Sequence, residues 1–167
     1  MKYNIRRRER KDCKDIARVV TKSWNETYKG IVSNEFLDDL YKNEESRAKN
    51  SFDNFNNNHN HQFVLEIDNK VVGFVNVGKS DDAEYLNCGE IYALYIEKEY
   101  QGNGFGKKLV KAGIDELKKL GFDKMIIGCL EANSSNAFYR HIGGRFVKTR
   151  IFEKLNMIEN VYLFKLI

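Results

Sequence analysis

A glycine-rich segment is the part of this 167-residue sequence whose residue types most directly suggest chemistry. Glycines stand at the alternate positions 102, 104 and 106, and a helical pattern follows at once. Because glycine has no Cβ, successive backbone N–H groups in such a turn can face one anion, to which the helix dipole adds its positive end. Lys107 and Lys108 lie in the first helical turn, where cations are unfavourable unless an anion is near. The segment predicts a phosphate site; the plain alternative is a flexible start to a helix.

Two common phosphate-binding motifs do not fit this segment. A Walker loop requires a glycine at the position of Gln101 and a hydroxyl residue at the position of Lys108. The dinucleotide fingerprint requires a third glycine where Lys107 stands, inside a βαβ unit with an acidic ribose ligand. A P-loop nucleotide hydrolase is therefore excluded, and a Rossmann site is disfavoured.

The spacing Gln101-x-x-Gly104-x-Gly106 resembles the cofactor motif of the GNAT superfamily of acetyl-CoA-dependent N-acetyltransferases. The resemblance continues through residues 90–96 upstream and 131–144 downstream, and it covers roughly residues 62–152. The N-terminal third matches only in general layout. One departure is the lack of a proline in residues 97–99, which affects the stiffness of the turn more than its chemistry.

The resemblance implies an α/β (α+β) fold, in which helices flank a mixed, mostly antiparallel central sheet that is splayed at the strand before the glycine-rich turn. It also implies acetyl-CoA as cosubstrate, with pantetheine paired to the strand backbone, pyrophosphate on the turn and Asn133 orienting either the thioester end or the pantetheine. The implied cofactor-binding residues are Leu94, Tyr95, Ile96, Gln101, Gly102, Asn103, Gly104, Phe105, Gly106, Lys107, Asn133 and Tyr139. Taken alone, Leu94 and Ile96 are core strand residues and Asn133 is a turn or cap residue.

The resemblance places two catalytic groups. Acyl transfer from a thioester needs a neutral amine, a held geometry and a proton for the leaving thiolate. Tyr139 would donate to that thiolate. Because the reference pKa of tyrosine, near 10, exceeds the ~8.5 of a thiol, full transfer of the proton would cost on the order of 2 kcal/mol. We therefore expect a hydrogen bond to the sulfur, with proton transfer late in the step. Glu90, eleven residues before Gln101, stands where some branches place a base that deprotonates the amine through water. The plain alternatives are a core tyrosine and a solvated strand glutamate.

Four residues could line the acceptor side in this architecture: Trp24, Glu26, Tyr28 and Tyr92. Each has an equally plain interpretation as a core or surface residue. The acceptor would be a primary amine of a small molecule or a protein, and the sequence does not choose among polyamines, aminoglycoside-like drugs, amino acids and protein amines.

Hydrophobic periodicity and capping residues predict the elements that would position these groups. The first part of the chain is predicted to form a strand at residues 3–5, a helix capped by Asp12 and ending near Gly30, a helix introduced by Ser33, and a helix through Ala48, Phe52 and Phe55, followed by a polar loop at 56–60. The middle is predicted to form a hairpin of residues 62–67 and 70–77 that turns at Asp68 and Asn69, a strand at 84–96, and a helix whose buried face is Leu109, Ala112, Ile114, Leu117 and Leu120 and whose C-terminal cap is Gly121. The last part is predicted to form a strand at 124–130, a short helix through 137–139 capped by Ser134 or Ser135, and strands at 146–152 and 160–166.

Length and composition indicate one domain, residues 1–167. No apolar stretch follows the charged residues 1–10, so a cytoplasmic location is expected. The net charge of +4 suits a phosphorylated ligand and falls short of a nucleic-acid footprint. Cys13, Cys88 and Cys129 lack the spacing of a disulfide framework or a metal site, so buried thiols and no metal are expected. No stretch approaches the ~20 apolar residues of a membrane span.

Two other functional classes stay open at this point. One is a catalytically silent CoA-binding sensor or interaction module. The other is a nucleic-acid binder that uses the basic run Arg6, Arg7, Arg8, Arg10 and Lys11, although a solvated sheet edge is the simpler interpretation of that run. The presence of both Tyr139 and Glu90 favours an enzyme, which could act as a homodimer.

Overall fold

A computed structural model describes residues 1–56 and 61–167, so most of the predicted loop at 56–60 lies outside the described residues. Three helices follow the first strand, and three strands follow those helices. The strands are β1 (Tyr3–Arg7), β2 (Gln62–Ile67), β3 (Lys70–Lys79), β4 (Gly89–Ile96), β5 (Lys124–Leu130), β6 (Arg145–Phe152) and β7 (Met157–Lys165). The helices are α1 (Cys13–Tyr28), α2 (Asn34–Lys42), α3 (Glu44–Asp53), α4 (Phe105–Lys119) and α5 (Asn136–His141), with short 3-10 turns at Arg10–Asp12 and Lys98–Tyr100.

The seven strands hydrogen-bond in the order β1-β2-β3-β4-β5-β7-β6. The β1/β2, β2/β3, β5/β7 and β6/β7 ladders are antiparallel. The β4/β5 ladder is parallel and runs from Gly89↔Met125 to Ile91↔Ile127, while β4 itself continues to Ile96. A mixed, mostly antiparallel sheet with helices confirms the predicted fold class.

Three local predictions are confirmed by the backbone. Asp68 and Asn69 have φ of 49° and 67°, the left-handed conformation that a tight β-hairpin turn requires. The Ser33 hydroxyl accepts the Phe36 N–H at 3.2 Å and so caps α2. Gly121 has φ of 92° just beyond the end of α4, as a C-terminal cap does.

The third long strand is shorter than predicted. It begins at Gly89 rather than at residue 84, because tight turns precede it, in which the Tyr85 N–H bonds the Asp82 carbonyl and the Cys88 N–H bonds the Tyr85 carbonyl. The buried face of α4 also ends earlier than predicted. The helix stops at Lys119, and Leu120 is 43% exposed.

Asp12 immediately precedes α1 as predicted, but its side chain does not cap that helix. Its carboxylate instead accepts the Glu9 N–H at 2.8 Å and two bonds from Arg6 at 2.8 and 2.9 Å. The carboxylate therefore stabilises the 3-10 turn before the helix, which the sequence pattern did not reveal.

The chain forms two compact units, each with its own core. The first unit comprises Met1–Asn76 and Ala93–Ala112, and its core is Val19, Val64, Val71 and Phe74, with Ile16, Val20, Ala93 and Tyr95 against it. The second unit comprises Val77–Tyr92 and Gly113–Ile167, and its core is Cys88, Ile126 and Val161, with Tyr85, Val147 and Leu163 against it. The glycine-rich turn belongs to the first unit, and Glu90 and Tyr139 belong to the second.

The three cysteines are buried free thiols, as predicted. Among the helices within residues 1–56 and 61–167, none combines the length and the apolar character that crossing a bilayer requires. The same residues contain no group of three or more His, Cys, Asp or Glu side chains arranged to hold a metal ion.

Candidate active site

The glycine-rich turn, residues 101–106, contains two glycines in the left-handed conformation. Gly102 and Gly104 have φ of 77° and 81°, which side-chain-bearing residues rarely adopt. A Cβ added at either glycine would meet no atom within 4 Å, so both face open space. The α4 helix begins at Phe105, and the first N–H groups of a helix have no acceptor within it. Residues 101–104 are exposed, so the N-terminus of α4 lies directly behind an exposed turn.

Hydrogen bonds between residues close in sequence fix the segment that leads from β4 into this turn. The Gln101 side-chain amide donates to the Ile96 carbonyl at 2.9 Å, and the Asn103 amide donates to the Gln101 carbonyl at 3.2 Å. The Tyr100 N–H donates to the Glu97 carbonyl at 2.9 Å. A carbonyl oxygen has two lone pairs, so the bond from Gln101 leaves Ile96 one site for the predicted pantetheine contact.

Two of the predicted acceptor residues are buried in the first unit. Trp24 is 9% exposed and Tyr28 is 7% exposed, with ring centroids 4.5 Å apart. The Trp24 indole N–H donates to the Tyr95 hydroxyl at 2.9 Å. Burial raises the pKa of Tyr95, and this hydrogen bond opposes the rise. These contacts are those of a packed aromatic cluster, and a role in acceptor binding stays a prediction.

The remaining two acceptor candidates both interact with backbone. The Glu26 carboxylate accepts the Lys98 N–H at 3.3 Å in the first unit. In the second unit, Tyr92 is 51% exposed and its hydroxyl donates to the Lys79 carbonyl. The Tyr92 ring lies so close to Gly78 that a Cβ there would be 2.7 Å from the hydroxyl oxygen. Tyr92 can therefore occupy this position only because residue 78 has no side chain, which the sequence pattern did not indicate.

Tyr139 lies in α5 and is held by its backbone and its ring. Its N–H donates to the Ser135 carbonyl at 3.2 Å, and its carbonyl accepts the Gly144 N–H at 2.8 Å. The ring centroid is 5.4 Å from that of Phe138 and 6.1 Å from that of Tyr162, and the residue is 7% exposed. This packing fixes the ring of the predicted proton donor.

Asn136 is a positioning residue that the sequence analysis missed. Its amide N–H groups donate to the carbonyls of Leu130 at 2.9 Å and Asn133 at 2.6 Å. Its oxygen accepts the Tyr162 hydroxyl at 2.7 Å. The Asn133 side chain, for its part, accepts the Ser135 N–H at 2.8 Å, which is a turn-capping contact. The segment that carries Asn133 is thus tied to β5 and β7 through one buried amide.

Glu90 lies in a cluster of charged side chains within the second unit. Its carboxylate is 12% exposed, accepts the Ser80 hydroxyl at 3.2 Å and lies 3.4 Å from the Arg150 guanidinium. Arg150 also pairs with Glu159 at 2.6 Å and with Asp82 at 3.1 Å. Burial raises the pKa of Glu90; Arg150 opposes that rise and Glu159 adds to it. The residue is therefore a largely buried carboxylate with an arginine partner, unlike a solvated strand glutamate.

The sequence analysis did not predict the partners of Glu90, although the spacing of two basic residues on β6 indicated that a charged cluster would form. Lys148 and Arg150 are two residues apart on β6 and therefore lie on the same face of that strand. Lys148 pairs with Asp82 at 2.8 Å and with Glu84 at 2.9 Å. Two cations on one face of a strand predict facing carboxylates, but not which ones.

The basic run near the N-terminus is largely engaged within the first unit. Arg6 pairs with Asp12 and with Glu66, each at 2.8 Å. Arg8 donates to Gln62 and Ser51. These bonds hold β1 to β2 and α3, which supports the sheet-edge interpretation over a nucleic-acid arm.

A cavity of about 680 Å³ opens elsewhere in the first unit. None of the residues predicted for the cofactor or the acceptor lines it. It is bounded by Arg10, Lys11, Cys13, Lys14, Glu44, Glu45, Ala48, Lys49 and Phe52. Lys11 pairs with Glu9 at 3.0 Å and Lys49 with Asp53 at 2.7 Å, so much of its positive charge is already balanced.

The sequence and the fold were compared with those of known proteins. A family model described as the acetyltransferase (GNAT) family matches residues 20–143. YuaI from Bacillus subtilis (strain 168), described as an uncharacterized N-acetyltransferase, is 32% identical over 138 residues, which cover 81% of this chain and 76% of that protein. PaiA N-acetyltransferase from Thermoplasma acidophilum, solved in complex with coenzyme A, is similar at a TM-score of 0.80 and 22% identity over 99% of both chains. YncA from Salmonella typhimurium, solved with its cofactor acetyl-CoA, has a TM-score of 0.67 at 17% identity over 100% of this chain and 95% of that one.

Proposed function

The chain belongs to the GNAT acetyltransferase family and is an acyltransferase, and from this premise we propose that it transfers the acetyl group of acetyl-CoA to a primary amine of a small molecule or protein. The observation that carries the proposal is the turn at residues 101–106, in which two left-handed glycines lead directly into the N-terminus of α4. Such a turn binds the pyrophosphate of CoA through backbone N–H groups and the helix dipole. The pantetheine arm would then pair with backbone groups of Leu94 and Ile96.

The reaction proceeds by direct attack in a ternary complex. The amine nitrogen forms a bond to the thioester carbonyl carbon, and the carbon–sulfur bond then breaks to release CoA as a thiolate. Glu90 accepts the proton that the amine loses, through a water molecule. Tyr139 donates a hydrogen bond, and late in the step a proton, to the sulfur.

The burial of Cys88 and Cys129 disfavours an acyl-cysteine intermediate on either residue and so supports direct attack. Burial raises the pKa of Cys129 to about 12, and Glu159 adds to the rise. Burial likewise raises the pKa of Cys88. Because the thiolate is the nucleophilic form of cysteine, neither residue is activated to carry the acetyl group.

One observation favours the second candidate, a CoA-binding sensor without catalysis. Both oxygens of Glu90 already have partners, Ser80 and Arg150. A carboxylate held in this way resembles a structural ion pair. The sensor would bind acetyl-CoA through the same turn and release no thiol.

Release of CoA thiol from acetyl-CoA with a panel of polyamines, aminoglycosides, amino acids and peptides tests the proposal. We expect amine-dependent thiol release with at least one class, and mass detection of the acetylated product identifies it. Binding of acetyl-CoA without release across the panel would favour the sensor. Absence of acetyl-CoA binding would exclude both functions.

A further inference from the structure

The residue that joins β4 to the glycine-rich turn is a fully buried carboxylate. Glu97 is 0% exposed, whereas residues 98–104 are exposed or half-buried. Burial resumes only at Phe105, which is 7% exposed. The exposed turn is therefore bracketed by two buried residues, one charged and one aromatic.

Three cations surround this carboxylate within the first unit. Arg18 and Lys22 each lie 3.1 Å from a Glu97 oxygen, and Lys70 lies 3.9 Å away. We call Glu97 with Arg18, Lys22 and Lys70 the Glu97 cluster. The three cations are 30%, 34% and 49% exposed, so each keeps contact with water while it faces the buried charge.

Helix α1 presents its part of the cluster as one row. Arg18, Lys22 and Glu26 are four residues apart and so lie on one face of the helix. Lys22 also pairs with Glu99, and Glu26 accepts the Lys98 N–H at 3.3 Å. One face of α1 thus contacts three consecutive residues that lead to the turn.

A buried ion pair is weak evidence of a contribution to stability, because desolvation offsets most of the attraction and apolar side chains of similar volume often stabilise as well. It does specify geometry, since the carboxylate must stay within reach of its partners. A fixed geometry matters most directly ahead of a turn whose N–H groups have to converge on one anion.

Resting on the proposed function, we infer that Glu97 is a positioning residue for the pyrophosphate turn, which it holds against α1 through Arg18 and Lys22. It does not touch the reacting atoms. Its loss displaces the backbone donors at residues 102–107 and weakens binding of the pyrophosphate, while contacts to the pantetheine and the amine remain.

The test compares Glu97→Gln with Asp12→Asn, which neutralises a similarly buried carboxylate of the same unit. Asp12 is 4% exposed, and its partner Arg6 lies on β1. We expect the dissociation constant of acetyl-CoA, measured by calorimetry, to rise about tenfold or more in Glu97→Gln and to change less than about twofold in Asp12→Asn. Lys22→Met, which leaves the Arg18 contact in place, should give a smaller rise, and it serves as the second variant if Glu97→Gln does not fold.

The acetyl donor S-acetylpantetheine lacks the pyrophosphate, so activity with it does not depend on the pyrophosphate turn. Comparing activity with the two donors therefore separates a loss of pyrophosphate binding from a general loss of structure. The kcat/KM of Glu97→Gln relative to wild type should fall for acetyl-CoA and stay near one for S-acetylpantetheine, with KM for the amine unchanged. Unchanged acetyl-CoA affinity, an equal loss with both donors, or an equal loss in Asp12→Asn would overturn the inference. Failure of the wild-type protein to bind acetyl-CoA would instead overturn the proposed function.

Discussion

At the scale of single residues, the two proposed catalytic groups have different surroundings and should respond to different changes. Tyr139 is packed among the rings of Phe138 and Tyr162, so removal of its hydroxyl leaves the packing in place. Glu90 lies beside Ser80 and Arg150, so its ionisation depends on its neighbours. Each role can therefore be tested by a substitution that changes one property.

Tyr139→Phe should lower turnover about 10²-fold or more, while acetyl-CoA affinity stays within a few-fold. A hydrogen bond to the developing thiolate is made mainly in the transition state, so binding and rate should separate. Tyr162→Phe gives the contrasting case for stability: its hydroxyl donates to Asn136 inside the core, and losing it should cost about 1–3 kcal/mol of stability. Near-normal turnover in a folded Tyr139→Phe protein would exclude the acid role.

Arg150→Met should move the acidic limb of the pH–kcat profile to higher pH. Glu90 must be ionised to accept a proton, and burial already raises its pKa; removing the guanidinium removes the neighbour that opposes this rise. Activity would then be lost at a higher pH as the medium is acidified.

Lys148→Met is the control for this shift, because Lys148 pairs with Asp82 and Glu84 and is not a partner of Glu90. An equal shift in both variants would indicate a general charge effect. A profile that does not move in Arg150→Met would remove Glu90 as the base.

At the scale of elements, the turn and the helix that follows it form the proposed cofactor site. Gly104→Val should abolish most of the stabilisation that acetyl-CoA gives, because a branched Cβ would enter the open space where the pyrophosphate approaches.

Gly30→Val is matched to this variant in backbone strain. Gly30 has φ of 83° and likewise has no atom within 4 Å of an added Cβ, but it follows α1 and lies outside the turn. We expect both variants to lose similar intrinsic stability and only Gly104→Val to lose the acetyl-CoA effect, as measured by thermal unfolding with and without ligand. A folded Gly104→Val protein that keeps the full effect would contradict the site.

At the scale of the whole molecule, binding of acetyl-CoA should be linked to unfolding. The turn exists only in the folded chain, so ligand at a hundredfold excess over its dissociation constant should stabilise the protein by about 2.7 kcal/mol. The melting temperature should therefore rise with the logarithm of acetyl-CoA concentration. A melting temperature independent of acetyl-CoA would show that the folded protein does not bind it.

Much of the fold, including the backbone of the glycine-rich turn, could be predicted from the sequence, because it depends on local backbone preferences. Asp68 and Asn69 specify the hairpin turn, Ser33 caps α2, and the alternating glycines specify the turn before α4. In each case the residue that determines the conformation is the one that adopts it, or lies within three positions of it.

The tertiary structure decided which distant side chains meet. Glu90 is paired with Arg150, sixty residues away, and Glu97 with Arg18, seventy-nine away. Sequence patterns place such charges on a face of a strand or helix, but which faces come together depends on how the elements pack. Desolvation depends on the same packing: it separates the fully buried Glu97 from the exposed Glu99, two glutamates that the sequence presents alike. The ionisation of Glu90 and the anchoring of the turn are therefore properties of the folded chain.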